Sequence, residues 1–290
     1  MSKIGFIGTG IMGHPMAAHL QAGGHRLYLA RHRTAPPQEL IDAGAVECPS
    51  IREVAQQADI VITMVPDTPQ VNEALFDEAG IAGGLSPGKL VIDMSSISPI
   101  ETKTFAKKIN ELGCDYLDAP VSGGEVGAKA AGLTIMVGGS EGAFEKARPL
   151  FELMGKNITL VGENGAGQTC KVANQIIVAL SIEAVAEALV FASKAGVDPA
   201  RVRQARMGGF AGSKILEIHG ERMINRTFDP GFRINLHQKD LNLALSGARA
   251  LGVSLPNTAT TQELFNACDK ELDHSALVQA LEGLAGHPVN

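Results

Sequence analysis

Two hydrophobic periods divide this chain. In its first part, residues 3–7, 26–30, 59–65, 89–94, 133–137 and 158–161 are short apolar runs bounded by glycine, proline or acidic residues, as strands are. Between them, 15–21, 39–43, 70–76, 99–112 and 141–154 read as helices, and Ser50 with Glu53 forms a capping box that starts one more. Strands alternating with helices predict a parallel sheet with right-handed crossovers, on which ligands gather beyond the carboxyl ends of the strands. Val65-Pro66, Ser95-Ser96 and Ser122-Gly123-Gly124 fall at such ends. From Gly167 onward the strand signal fades, and helical patterns cover 168–195, 199–207, 213–225, 236–251, 258–272 and 275–284. The expected fold is therefore α/β: a doubly wound parallel sheet over 1–162, then an all-α domain over 163–290, joined by a long interdomain helix.

Composition narrows the classes. A chain of 290 residues, 45% of them apolar, is long enough for two cores, and 33 glycines without a short repeat suit the many tight turns of an α/β fold. The net charge of −6 argues against nucleic acid as a partner. Four cysteines, Cys48, Cys114, Cys170 and Cys268, stand far apart and point to a reducing compartment, and the N-terminus has no signal-peptide pattern. The expected location is the cytoplasm. The apolar stretch 172–195 is interrupted by Asn174, Gln175, Ser181, Glu183, Glu187 and Lys194, so it is read as a buried helix of a soluble protein rather than a membrane span. None of the eight histidines has the spacing of a ligand set, and no metal is expected; His237 is placed beside the cleft, the others as ordinary core or surface residues.

The first strand runs into Gly8-Thr9-Gly10-Ile11-Met12-Gly13 and then a helix, the setting a dinucleotide fingerprint needs. Gly8 permits the tight turn, Gly10 lets the backbone approach a pyrophosphate, and Gly13 lets helix and strand pack closely. The sheet is thus Rossmann-type. At the end of the second strand, where a carboxylate would hold the 2′-hydroxyl of NAD, the sequence reads Arg31-His32-Arg33. Two guanidinium groups suit a 2′-phosphate, which makes NADP the preferred cofactor and NAD the alternative; a solvated basic turn is the competing reading.

Lys171 lies near the start of the long helix, where the helix end already carries partial positive charge. Two readings follow. The lysine bridges to a carboxylate, or it exchanges a proton with a reacting oxygen, its ammonium made more acidic by its surroundings. Ser122 with the amides of Gly123 and Gly124 offers a small pocket for an anion; a plain turn is the alternative.

Four motifs in order, Gly8-x-Gly-x-Met-Gly13-x-Pro-Met16, Asp118-Ala-Pro-Val-Ser-Gly-Gly124, Gly165-x-Gly-x-x-x-Lys171 and Lys239-Asp240-Leu241, resemble the β-hydroxyacid dehydrogenases over essentially the whole chain. Closer detail in 171–180, 208–213, 230–233 and 273–277 resembles members that reduce a three-carbon semialdehyde acid. The resemblance implies NAD(P)H-dependent reduction of 2-hydroxy-3-oxopropanoate to D-glycerate, with Lys171 as proton donor. Reduction of succinic semialdehyde or interconversion of 3-hydroxyisobutyrate is the alternative within the class, and a non-catalytic NADP-binding sensor the alternative outside it. By the same resemblance Ser122, Gly123 and Asp240 sit at the substrate, and Asp240 also offers an ion-pair partner for Lys171. Val65, Pro66, Ser96, Phe232 and Lys239 would line the cofactor side. Relatives place asparagine four residues after the lysine; here Asn174 stands at three and Gln175 at four, so either faces Lys171. Apolar surface on the helical half, and the family's habit, lead us to expect a homodimer or homotetramer.

Overall fold

The computed structural model describes residues 1–31 and 35–289. It divides into two compact units, Met1–Lys171 and Val172–Asn290. The first contains β1 (Lys3–Ile7), α1 (Gly13–Ala22), β2 (Arg26–Ala30), α2 (Gln38–Asp42), β3 (Val46–Cys48), α3 (Ile51–Gln57), β4 (Ile60–Thr63), α4 (Thr68–Phe76), β5 (Leu90–Asp93), α5 (Pro99–Glu111), β6 (Asp115–Asp118), β7 (Val121–Ser122), α6 (Gly124–Lys129), β8 (Leu133–Gly138), α7 (Glu141–Glu152) and β9 (Gly155–Gly162). Helix α8 (Ala166–Lys194) begins in this unit and continues into the second.

Among the described residues nine strands form one sheet in the order β3-β2-β1-β4-β5-β6-β8-β7, with β9 on β8. Alternation along each strand splits its side chains between two cores, because successive residues point to opposite faces. Ile4, Phe6, Leu27, Leu29, Ile62 and Ile92 pack with α1 and α7 on one face, and Ile7, Tyr28, Val61, Val91 and Tyr116 with α3, α4 and α5 on the other. The doubly wound expectation holds. The sheet is dominated by parallel pairs, as expected, with one departure: β8 runs antiparallel to both β6 and β7, while β9 is parallel to β8. The reversal is hard to see in a sequence, since strand direction is set by the connections and β7 is only two residues long. The three-residue β3 was also too short to stand out from a turn.

The second unit contains the rest of α8, then α9 (Pro199–Arg206), α10 (Lys214–Asn225), α11 (Ile234–Leu251), α12 (Pro256–Asn266), a short 3-10 turn His274–Leu277 and α13 (Val278–Ala285). Its core includes Ala179, Ile182, Ala186, Leu189, Met223, Ile234, Leu241, Phe265, Leu277 and Val278. The helix expected over 258–272 stops at Asn266, where Ala267 and Cys268 turn back onto the carbonyls of Leu264 and Phe265. The expectation that α8 is buried is corrected as well. The helix is long and apolar enough to cross a membrane by length and composition, yet only 33% of its most apolar window is buried, and Ile177 and Phe191 are 66% and 76% exposed. Seven of its buried positions, Gln168, Lys171, Gln175, Ala179, Ile182, Ala186 and Leu189, recur every three or four residues along one stripe.

Candidate active site

The glycine turn shows three glycines doing different things. Gly8 has φ +96°, and a β-carbon there would lie 2.2 Å from the Met64 carbonyl oxygen. At Gly13 the same atom would lie 1.9 Å from Gly8 O. At Gly10 it would meet no protein atom within 4 Å. Gly8 and Gly13 are thus required by the fold itself, whereas the space over Gly10 is open, as a cradle for a phosphate should be. Thr9 and Met12 are half-buried, Ile11 is 65% exposed, and Gly10 O accepts from His14 N to start α1.

Next to this turn, the ends of β4 and β5 are tied together by a buried carboxylate that the sequence did not single out. Asp93 Oδ1 accepts from Thr63 Oγ1 at 2.8 Å and from Ser95 N at 3.0 Å, and Ser95 Oγ in turn accepts from Val65 N at 3.0 Å. Tyr116 Oη lies 3.4 Å from Asp93 Oδ2. Full burial raises the Asp93 carboxyl to about 6 against these stabilising hydrogen bonds, and burial drives the Tyr116 phenol well above its ordinary range. The backbone that carries Val65 and Ser96 is therefore fixed from below. Val65 and Ser96 are half-buried and Pro66 is exposed.

Asp118, at the end of β6, performs the corresponding task for α8. Its Oδ1 accepts from Gly165 N at 2.7 Å and its Oδ2 from Gln168 N at 2.9 Å, capping the helix with negative charge where the dipole is positive. Burial pushes this carboxyl up, and the two amides pull it back down. Gln168 adds a second tie: its Nε2 donates to Ser95 O at 2.6 Å and its Oε1 accepts from Ile97 N at 3.1 Å. A β-carbon on Gly167 would lie 2.4 Å from Met136 O and 2.6 Å from Asp118 O, so the helix start rests directly on the sheet. Lys171, one turn further on, is 6% exposed. The unfavourable meeting of an ammonium with a helix N-terminus is thus offset by Asp118, a residue quoted only as part of a motif.

Ser122 closes β7 opposite Thr134 and is half-buried. Gly123 and Gly124 follow with φ +137° and +59°, conformations that disfavour any side chain, so the Ser-Gly-Gly segment exposes backbone where other residues would add bulk. Arg31, at the end of β2, is exposed and lies 4.0 Å from Glu47 Oε1 on the neighbouring strand; Arg33 falls outside the described residues.

In the second unit Gln175, Asp240 and Lys239 form one group. Gln175 Nε2 donates to Asp240 Oδ2 at 2.6 Å, and Lys239 Nζ lies 3.0 Å from Asp240 Oδ1. Asn174 Nδ2 donates to Gln175 Oε1 at 2.8 Å. Gln175 is buried with both ends of its amide engaged, while Asn174 is half-buried. The half-buried Phe232 sits with its amide on Asp273 Oδ2 and its ring 5.7 Å from that of His237. His237, expected beside an open cleft, is fully buried, and its Nε2 lies 3.2 Å from Gln175 O. His219, Asp273 and His274 also converge, with ligating atoms within 4.8 Å of one another. Their separation in sequence hid this, since α10 and the 3-10 turn meet only in the folded unit.

Residues 3–162 match the model of the NAD binding domain of 6-phosphogluconate dehydrogenase, and 165–281 that of the NAD-binding region of NADP-dependent 3-hydroxyisobutyrate dehydrogenase. The chain is 65% identical to 2-hydroxy-3-oxopropionate reductase of Escherichia coli (strain K12), over 98% of this chain and 99% of that one. Among solved structures, Mycobacterium tuberculosis 3-hydroxyisobutyrate dehydrogenase with L-serine superimposes with a TM-score of 0.88 at 33% identity, covering 97% of this chain and 99% of the other. Psf3 in complex with NADP+ and 2-OPP gives 0.84 at 26% identity, covering 96% and 99%.

Proposed function

The chain belongs to the β-hydroxyacid dehydrogenase family of NAD(P)-dependent oxidoreductases, and on that premise we propose that it reduces 2-hydroxy-3-oxopropanoate to D-glycerate. The observation that carries the choice of substrate is the 65% identity to the E. coli reductase over nearly the full length of both chains. The open space over Gly10 accommodates the cofactor's pyrophosphate. NADP is preferred, on the strength of a second strand that ends in Arg31 with no carboxylate in the 2′-hydroxyl position.

When bound, the nicotinamide supplies the hydride. The chain's own residues manage the charge that follows. As the aldehyde carbon is reduced, negative charge grows on its oxygen, and Lys171 gives that oxygen a proton. Burial of Lys171 strengthens the interaction by excluding water. Ser122 Oγ and the amides of Gly123 and Gly124 hold the substrate carboxylate, and the positive φ values at both glycines support a pocket without side-chain bulk. Asn174, with only one amide hydrogen committed to Gln175, is the better placed of the two to meet substrate, while Gln175 keeps Asp240 in position. By resemblance to the family, Phe232 and Lys239 are assigned to cofactor contact. The exposed apolar face of α8, with Ile177 and Phe191, supports a homodimer or homotetramer, and four free cysteines support a reducing, cytoplasmic setting.

The test is NADPH oxidation with 2-hydroxy-3-oxopropanoate for wild type and Lys171→Ala. Loss of the proton donor is expected to lower kcat by about 100- to 10,000-fold. A variant that retains wild-type turnover refutes the assignment. A panel that adds methylmalonate semialdehyde and succinic semialdehyde decides between the substrate classes, and higher kcat/KM on the branched acid would favour the 3-hydroxyisobutyrate reading that the mycobacterial structure suggests.

A further inference from the structure

The second unit holds a row of three imidazoles that the reaction does not use. It runs from the Gln175 carbonyl to His237 Nε2 at 3.2 Å, from His237 Nδ1 to His274 Nδ1 at 3.0 Å, from His274 Nε2 to His219 Nε2 at 3.2 Å, and from His219 Nδ1 to Asp273 Oδ1 at 3.7 Å. Both ends accept hydrogen bonds only. Three neutral imidazoles bring three N–H groups to these four links, so one link goes without. The longest is the one to Asp273, at 3.7 Å, beyond the length of a good hydrogen bond, so the vacancy is assigned there. With the gap there, the direction of the others is fixed: His219 donates to His274, His274 to His237, and His237 to Gln175 O.

We propose that this row positions the substrate site: His274 and His219, which touch neither the Gln175 side chain nor Asp240, lock His237 in the tautomer that fastens α8 at Gln175 to α11 at Lys239 and Asp240. The proposal rests on the reading of those residues as part of the site. His274 is the central link, and burial together with the neighbouring imidazoles drives its ring well below the ordinary histidine range, so it stays neutral as a tautomer-setting group must. The groups facing the row are Arg222 and His219 from α10, Asp273 as the N-cap of the 3-10 turn, and Lys239 and Asp240 on α11 beyond His237; α12 presents the uncharged ring of Phe265, 5.1 Å from that of His237. A proton added to the row fills the vacant link beside Asp273 and leaves the other three as they are.

A metal ion is the rival occupant. Arg222 Nη1 lies 2.8 Å from Asp273 Oδ2, and Asp273 Oδ1 already accepts from Ser275 Oγ at 2.6 Å, so that carboxylate is committed and has a fixed positive charge beside it. These neighbours disfavour a cation.

The experiment combines nitrogen-15 NMR of the histidine rings with kinetics on 2-hydroxy-3-oxopropanoate, for wild type, His274→Phe and His219→Gln. In wild type His237 is expected to carry its proton on Nε2 alone. In His274→Phe, where the Gln175 carbonyl alone still selects the Nε2–H form, a fraction protonated on Nδ1 should become detectable, KM for the oxoacid should rise about tenfold, the equivalent of one hydrogen bond, and kcat and the KM for NADPH should each change less than about twofold. His219→Gln, which keeps a donor facing His274, should retain the wild-type tautomer and KM. An unchanged His237 tautomer with an unchanged KM in His274→Phe overturns the proposal, and so does one equivalent of Zn2+ retained by the wild type through gel filtration. Should His274→Phe fail to fold, His219→Ala, altered at a side chain that is 14% exposed, takes its place with the same expectations. If wild type does not reduce the oxoacid, the substrate assignment fails, while the ring spectra still decide whether the row is ordered.

Discussion

Replacing the three glycines of the first turn with alanine one at a time separates a cofactor cradle from a folding requirement. Gly8→Ala puts a methyl group 2.2 Å from Met64 O at a φ of +96°, and Gly13→Ala puts one 1.9 Å from Gly8 O and 3.0 Å from the Phe6 ring. Each forces backbone to move. A left-handed conformation costs an alanine about 1–2 kcal/mol and overpacking about 1–3 kcal/mol, so Gly8→Ala, which meets both, is expected to lose about 2–5 kcal/mol of stability and Gly13→Ala, whose backbone is not left-handed, about 1–3 kcal/mol. Gly10→Ala meets nothing within 4 Å and has no positive φ, so its stability should stay within about 0.5 kcal/mol of wild type. The methyl group instead occupies the space a phosphate needs. Displacing the phosphate by about the width of a methyl group removes one backbone hydrogen bond to a charged oxygen, about 1.5–3 kcal/mol, which weakens NADPH binding by about 10- to 150-fold. Urea unfolding followed by circular dichroism measures the first quantity. Nicotinamide fluorescence measures the second, helped by a chain without tryptophan. The reasoning fails if Gly10→Ala binds NADPH as tightly as wild type, or if it unfolds as readily as Gly13→Ala.

Two other predictions concern burial. The Asp93 carboxyl rises from 3.8 to about 6 on folding, so the protonated form is favoured in the folded chain; the stability linked to it is fully present below pH 3.8 and is lost as pH rises through about 6, a change of about 3 kcal/mol. Asp93→Asn keeps the acceptor for Thr63 and Ser95 and should remove that part of the slope, so urea midpoints of the two proteins at pH 4 and pH 7 should diverge with pH; parallel slopes would contradict the assignment. Phe191→Glu places a charge on the exposed apolar face of α8 and should shift the proposed homo-oligomer towards monomer in sedimentation velocity; a wild type that sediments as a monomer, or an assembly unchanged by the substitution, would contradict the reading of that face as a subunit contact.

The parts of this molecule that could be read from sequence are those governed by local rules. Short apolar runs located β1, β4 and β5, and Ser50 caps its helix through the amide of Glu53, as the capping box predicts. The glycine turn was legible because each of its roles follows from a missing side chain. Asp93, Gln168 and the His219–Asp273–His274 group were not legible as functional parts, because these partners lie 30 to 73 residues away and nothing local distinguishes a buried carboxylate from a solvated one. The direction of β8 was missed for a related reason: an apolar hexapeptide has the same pattern whichever way it runs. The exposed stripe on α8 was missed because periodicity in so apolar a helix identifies a face without saying what covers it.

The seat of α8 on the ends of β6 and β8 has an evolutionary reading. Gly167 leaves no room for even one methyl group between helix and sheet, so the backbone beneath Lys171 inherits the rigidity of the strands rather than the looseness of a loop. Drift in that neighbourhood is penalised at once. Changes in appetite for one acid over another must then be written in side chains that are free to vary, while the ammonium stays where the sheet has put it.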